Sequence, residues 1–330
     1  LPSFTLPASG GYQIIRSNKQ LLNLLEFLNP DRIEVSDRFT LLKVGRWAKQ
    51  HKVASLVFSH ETLNGLVRKY APFVPASIRS KFVNWHNARL ATTFDNVIAT
   101  TDFAAAEFVR IKTDNLRKVA LGVDLIGFNP ENRNYKLRKE LLKGAEFLLV
   151  HCGRMSPEKQ PERSVQALAE LIKRGVNARL IIVGGGPLWN KVRKQSTGLP
   201  VDMVGYIASR QKVADYLAAA DLAIAPGPLE TFCLSALESL ASGTPVVASK
   251  SSAVGEILNI NSIKAAGAVA ADDGVSFANE IIKLLNKGNL RKVARTQAEQ
   301  YSWANTIDAM LDIHGAKQPM VTTKRRLKAA

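Results

Sequence analysis

Two glutamates, Glu230 and Glu238, stand eight residues apart between Asp221 and Gly255, and their setting says more than their spacing. The apolar run 222–225 ends at Pro226-Gly227-Pro228, apolar residues recur at helical spacing over 232–242, and Gly243 with Pro245 closes that pattern. Residues 246–248 then read as the next buried strand. The loop before the helix therefore lies at the carboxyl end of a parallel sheet, where open α/β folds bind ligands. Glu230 falls in that loop, and Glu238 lies six residues past Phe232, roughly 9 Å along a helix axis. Between them the backbone N–H groups of Thr231, Phe232, Cys233 and Leu234 stand at the positive end of the helix dipole, which suits an anion such as phosphate. Carboxylates beside a phosphate repel it unless each is aimed at neutral hydroxyls on either side. That layout matches sugar hydroxyls, diphosphate and ribose hydroxyls in turn. Spacing alone favours a plainer explanation, a loop surface charge and a solvated helix position, so other segments must decide.

The run from His151 to Gln160, HCGRMSPEKQ, supplies what a diphosphate needs. Gly153 permits close backbone approach, while Arg154 and Lys159 can converge on the phosphates from opposite sides of a loop. The glycine run beginning at Gly184 ends a strand before a helix, without meeting the GxGxxG pattern. Gly205-Tyr206-Ile207 is a strand end whose backbone groups could meet a base. Taken singly, these are also ordinary surface cations and glycine turns.

Strand-like and helix-like segments alternate along all 330 residues, which argues for parallel sheets built of βαβ units and a chain long enough for two cores. In the first half, 32–35, 53–58, 96–99 and 118–121 read as strands, with helices at 21–28, 40–50 and 104–111. Gly122-Val123-Asp124 and Phe128-Asn129-Pro130 break the pattern. A second sheet then reads from 147–151, 180–183, 202–204, 222–225 and 246–248. The expected division is a first Rossmann-like domain over 1–130, a connector over 131–145, a second Rossmann-like domain over 146–300, and a C-terminal helix with a basic tail over 301–330. That helix is expected to pack back across the domain junction.

The net charge is +17 and unevenly spread. From Arg38 to Phe94 ten basic residues, Arg38, Lys43, Arg46, Lys49, Lys52, Arg68, Lys69, Arg79, Lys81 and Arg89, face one acid, Glu61. Trp47, Leu66, Val67, Tyr70, Phe73, Val74, Phe82 and Trp85 are interleaved with them. Such a stretch suits an anionic membrane surface, with apolar groups dipping in and cations at the headgroups. Nucleic acid is the competing partner, but no zinc-finger, RNP or helix-turn-helix signature accompanies the charge. The basic run Lys324-Arg325-Arg326-Leu327-Lys328 is weaker support. No apolar stretch approaches the roughly 18 residues that span a bilayer. Cys152 and Cys233 lack metal-ligand spacing and read as reduced thiols, giving an expected cytoplasmic location, peripheral on the inner face of the plasma membrane.

Taken in order, Gly122-Val123-Asp124 to Phe128-Asn129-Pro130, Gly153 to Lys159 as G-R-x-S-x-E-K, the glycine run at 184, and Glu230 to Glu238 as Glu-x7-Glu resemble the retaining GT-B glycosyltransferases of family 4. The resemblance covers nearly all of residues 30–315 and is closest to lipid-directed members such as GDP-mannose-dependent α-mannosyltransferases. It implies an α/β GT-B fold, two Rossmann-like domains facing across a cleft. The implied activity is transfer of a hexose, mannose from GDP-mannose, to a hydroxyl of a lipid or glycolipid acceptor at the membrane surface. By the same resemblance Arg154 and Lys159 hold the donor diphosphate and stabilise the leaving phosphate. Glu230 meets the donor sugar, Glu238 the ribose, and amides near Phe232 and Cys233 complete the phosphate site. His60, after a first-domain strand, faces the donor sugar across the cleft. The implied mechanism is front-face attack by the acceptor hydroxyl, the leaving phosphate taking its proton. No D-x-D motif lies near the donor site, so neither a metal nor another cofactor is expected.

Two departures from the family pattern qualify these expectations. Nothing before Pro30 reads as the family's opening strand and glycine-rich loop, Gly10-Gly11 included, so the first domain is expected to lack its first βα unit. Ser251-Ser252-Ala253 stands where members often carry a glycine pair. A GT-B-fold sugar-nucleotide epimerase and a non-catalytic truncated remnant are the alternatives. A glycosidase using both glutamates fits poorly, because such chemistry has no need for Arg154 and Lys159, and two carboxylates attached to one phosphate-binding helix are poorly placed on either side of a glycosidic bond.

Overall fold

The computed structural model describes residues 3–5, 13–15 and 17–315. Gly10-Gly11 and the basic run at 324–328 lie outside the described residues. A short antiparallel pair, Ser3–Thr5 with Gln13–Ile15, precedes two parallel sheets.

The first sheet runs in chain order through Arg32–Val35, Ala54–Ser59, Asn96–Ala99 and Leu116–Lys118, every neighbour parallel. The second has the spatial order Gly267–Ala270, Val246–Ser249, Leu222–Ala225, Phe147–Cys152, Ala178–Val183 and Val201–Gly205, also parallel throughout. In that sheet the order reverses between Phe147–Cys152 and Leu222–Ala225. A crevice opens at the carboxyl ends of such a pair, because the connecting helices leave to opposite faces.

The strands read as continuous apolar runs because both faces are covered. Leu148, Val150, Ile181, Val183 and Ala223 point into one core, and Leu149, Leu180, Ile182, Leu222 and Ile224 into the other. The smaller sheet packs Ile33, Val35, Val57 and Val97 against Val44, Trp47, Leu90 and Phe108. The helix Trp303–Ile313 returns to this first domain, setting Ala309, Met310 and Ile313 on Leu56, Ile98 and Val119.

Several sequence expectations are corrected. The strand expected at 118–121 is Leu116–Lys118, since only these residues pair with Asn96–Ala99 before the chain leaves toward the junction. There Val123 bridges Ser302. The charged 131–145 connector contains a helix, Tyr135–Leu142, whose start is capped by the Asn134 side chain accepting from the Lys136 and Leu137 amides. Two residues of the basic stretch are interior. Arg38 is 2% exposed, and Trp47 is buried with its indole N–H donating to Glu26. The other aromatics do reach the surface: Tyr70, Phe73, Phe82 and Trp85 are exposed together with Ile78.

The helix Ala76–Thr93 shows why. Its inward face carries Val83, His86, Asn87, Leu90 and Thr93, while Ile78, Phe82, Trp85 and Arg89 form a second stripe at steps of four, three and four. The Arg89 guanidinium lies 5.5 Å from the Trp85 ring. Among the described residues no helix is long and apolar enough to cross a membrane.

Candidate functional site: a two-domain cleft with paired charges

Three loops nest at the carboxyl end of the second sheet. Gly153 donates its N–H to the Val183 carbonyl at 2.9 Å, and Gly184 donates to the Gly205 carbonyl at 2.8 Å. Gly184 has φ of +135°, and a Cβ there would stand 1.9 Å from the Gly153 oxygen. Glycine at 184 is thus demanded by loop packing before any ligand is considered. Gly205 also takes a left-handed φ, of +85°. Tyr206 beside it is 82% exposed.

Lys159 reaches across to Glu230, with Nζ 2.5 Å from Oε1. Glu230 is held from several sides. Its carbonyl accepts from the Ala253 N–H at 2.8 Å, and a Cβ on Gly227 would come within 3.0 Å of its Oε1. Arg163 steadies the preceding turn by donating to the Pro226 carbonyl at 2.9 Å while pairing with Asp272 at 3.2 Å. Burial works to lower the Lys159 pKa, but Glu230 and its neighbours outweigh it and hold the ammonium above its ordinary value.

The helix after this loop starts later than its apolar spacing suggests. It spans Leu234–Ala241, because Cys233 takes a left-handed φ of 72° at its N-cap. The Thr231 and Phe232 amides therefore precede the helix, and the helical distance to Glu238 is four residues rather than six. Phe232 turns its ring into the core, edge-on to Tyr301 at 6.0 Å, whereas Leu234 is partly exposed. Glu238 is not a solvated helix position. It is 8% exposed and accepts from Arg210 at 2.8 Å. Burial raises its pKa, with Arg210 opposing. Arg210 had no signal in the motif; its guanidinium also lies 4.7 Å from the Phe128 ring.

Thr231 stitches the domains together. Its hydroxyl donates to the His60 carbonyl, and its own carbonyl accepts the hydroxyls of Thr100 at 3.2 Å and Thr101 at 2.8 Å. Nearby, Glu256 accepts the Asp102 and Phe103 amides of the opposite domain at 2.8 and 2.7 Å. The His60 ring stacks on Phe58 with 5.4 Å between centroids, and desolvation lowers its pKa.

His60, Arg154, Lys159, Glu230 and Thr231 line one interdomain cavity of about 360 Å³, together with Thr62, Leu66 and Tyr70. Gly153, Lys159, Glu230 and Cys233 line a small adjoining pocket. Gly184, Gly205, Tyr206, Ile207, Phe232, Leu234 and Glu238 line neither of these two cavities. Both cysteines are poor nucleophiles. Burial, then Glu238, pushes the Cys152 thiol up to about 12, and burial, then Glu230, pushes Cys233 up to about 11.

Known proteins resemble the chain in sequence and in fold. The chain is 42% identical over 318 residues to the GDP-mannose-dependent alpha-(1-6)-phosphatidylinositol dimannoside mannosyltransferase of Mycobacterium tuberculosis, a match spanning 96% of this chain and 81% of that one. It is 30% identical over 240 residues to the D-inositol 3-phosphate glycosyltransferase of Saccharomonospora viridis, covering 67% of this chain and 55% of the other. Among solved structures, Anabaena HepE in complex with UDP superposes with a TM-score of 0.74 at 18% identity, covering 90% of this chain and 81% of that one. Sucrose-phosphate synthase from Thermosynechococcus elongatus gives 0.73 at 21% identity, covering 94% and 82%. The fold is GT-B. Residues 132–301 match the family described as glycosyl transferases group 1, and with a 42% identical relative along nearly its whole length the chain belongs to that family of transferases.

Proposed function

We propose that this protein transfers mannose from GDP-mannose, with retention, to a hydroxyl of a phosphatidylinositol mannoside at a membrane surface. The observation that carries the reading is the joint placement of His60, Arg154, Lys159 and Glu230 around one interdomain cavity, in a chain 42% identical to a mannosyltransferase of that specificity.

In this reading Lys159 and Arg154 take the donor diphosphate, and their charge stabilises the leaving phosphate as the glycosidic bond breaks. Glu230 turns its carboxylate to hydroxyls of the mannose, His60 closes over the sugar from the first domain, and Glu238 takes the ribose hydroxyls. The amides around Phe232, Cys233 and Leu234 complete the phosphate site, with Thr231 binding the domains beside it. Gly153, Gly184 and Gly205 let the backbone approach the nucleotide, where Tyr206 and Ile207 meet the base. The acceptor hydroxyl attacks on the face the phosphate leaves, and the phosphate oxygen takes its proton.

A lipid acceptor is supported by Leu66 and Tyr70 of the helix Leu63–Tyr70, which line the cavity. That helix leads to exposed Phe73, Ile78, Phe82 and Trp85 with Arg79, Lys81 and Arg89 among them. An acceptor headgroup can then meet the donor while its acyl chains stay in the bilayer.

Incubation with GDP-mannose, UDP-glucose or UDP-galactose and vesicles carrying phosphatidylinositol dimannoside tests the reading by product analysis. A lipid product gaining one α-linked mannose, from GDP-mannose only, is expected. An epimerised donor with no glycolipid would establish the epimerase alternative instead. A glycolipid formed from a UDP-sugar alone would overturn the donor assignment.

A further inference from the structure

Arg38, read from sequence as one of ten surface cations, is buried beneath the segment that carries His60. A buried guanidinium is strongly disfavoured unless its donors are met by well-placed acceptors. Here Nη1 donates to the Ser59 hydroxyl at 2.9 Å and to the Glu61 carbonyl at 2.7 Å, and Nη2 donates to the Asn87 side-chain carbonyl. Asn87 passes the connection on, its Nδ2 donating to Glu107 Oε2 at 3.1 Å. Glu107, 5% exposed, accepts the Leu63 amide at 3.1 Å and the Asn64 amide at 2.7 Å.

Those two amides begin the helix Leu63–Tyr70, whose own N-cap, Thr62, makes no side-chain capping bond. A carboxylate from the helix Asp102–Arg110 does the capping instead. The segment 59–64 is therefore gripped at both ends by buried groups of opposite charge that are themselves tied through Asn87. His60 sits within the first grip, between Ser59 and Glu61, and the second grip fixes the helix start three residues on. Its ring lines the cleft and its carbonyl receives the Thr231 hydroxyl.

We propose that Arg38 and Glu107 are positioning residues for glycosyl transfer, a two-point clamp that fixes His60 against the donor sugar. They touch neither substrate nor reacting atoms and act through the 59–64 backbone. A lysine at 38 keeps the charge but cannot reach Ser59, Glu61 and Asn87 in one plane. Misplacement of a reacting-site group by about 1 Å costs about 100-fold in rate. The inference rests on His60 acting at the donor sugar, as proposed above.

The test compares Arg38→Lys, His60→Ala and the double variant for mannosyl transfer, with thermal protection by GDP as a check on folding. Arg38→Lys is expected to lower kcat by about 10–100-fold, leaving KM for the donor within about 3-fold and GDP protection intact. In the His60→Ala background the same change should lower kcat less than about 2-fold further, because there is no imidazole left to misplace. Loss by the same factor in both backgrounds, or a rise in KM alone, overturns the clamp and leaves the role of His60 standing. A fully active His60→Ala protein overturns that role, and the clamp with it. Should Arg38→Lys fail to fold, the near-isosteric Glu107→Gln carries the same expectations. Faster hydrogen exchange at the Leu63 and Asn64 amides would accompany it, and unchanged exchange would count against the grip.

Discussion

Glu230→Gln separates the two partners of Lys159. In the described structure Lys159 Nζ is 2.5 Å from Glu230, with the carboxylate side chain 12% exposed and the lysine 35% exposed. If Lys159 takes the donor diphosphate, it must be shared with or released from Glu230 when a nucleotide arrives. A pair this enclosed exceeds a surface ion pair, but the lysine's access to water screens it, leaving about 1–2 kcal/mol of coupling. Removing the carboxylate charge should therefore tighten GDP binding about 5–30-fold, since GDP lacks the sugar that Glu230 would hold. Transfer from GDP-mannose should fall by about 100-fold or more, because the hydroxyl contacts that strengthen in the transition state are lost. Calorimetric titration with GDP at low salt reads the first effect and initial rates the second. Glu230 raises the Lys159 pKa against burial, so in the variant the ammonium loses its proton at a lower pH. The alkaline limit of GDP binding should shift downward accordingly. GDP affinity unchanged or weakened in Glu230→Gln would refute the exchange of Lys159 between carboxylate and phosphate.

Gly184→Ala forces a Cβ to within 1.9 Å of the Gly153 carbonyl at a left-handed φ, and should cost more than about 2 kcal/mol in a urea melt while abolishing GDP protection; a change under about 0.5 kcal/mol would contradict the nested-loop packing. His151 is buried and neutral, its pKa lowered from 6.5 to about 4 by burial and then by Lys159. The unfolded chain binds that proton more readily, so this contribution is full above pH 6.5 and is lost as the pH falls toward 4, by about 3 kcal/mol in all. His151→Gln should flatten that slope in melts taken across the window, and an unaltered slope would reject the assignment. Replacing Phe82 and Trp85 with serine should cut flotation on phosphatidylinositol vesicles at least about 10-fold with GDP binding intact, whereas equal flotation would remove the membrane role of the Ala76–Thr93 helix.

What was legible in the sequence was local. Strand ends, glycine turns and the order of Gly153, Arg154, Lys159 and Glu230 along the chain are set by neighbours a few residues away. Apolar periodicity then places them at the mouth of a parallel sheet. The helix begins at Leu234, not at Phe232 as apolar spacing predicts, because that spacing does not report the left-handed turn at Cys233. The connector's helix could have been found from Asn134, a good N-cap ahead of strong helix formers.

Type and order along the chain thus determined the fold class and a shortlist of polar groups for a nucleotide sugar. Which groups meet was decided only in three dimensions. Arg38 has the composition of a surface cation, and its partners Ser59 and Asn87 lie 21 and 49 residues away. The hydroxyl of Thr231 finds the His60 carbonyl across 171 residues, and Arg210 reaches Glu238 across 28. A charge reads the same in sequence whether water or a buried carbonyl will solvate it. The difference is made by desolvation, which exists only once two distant segments have closed over the group.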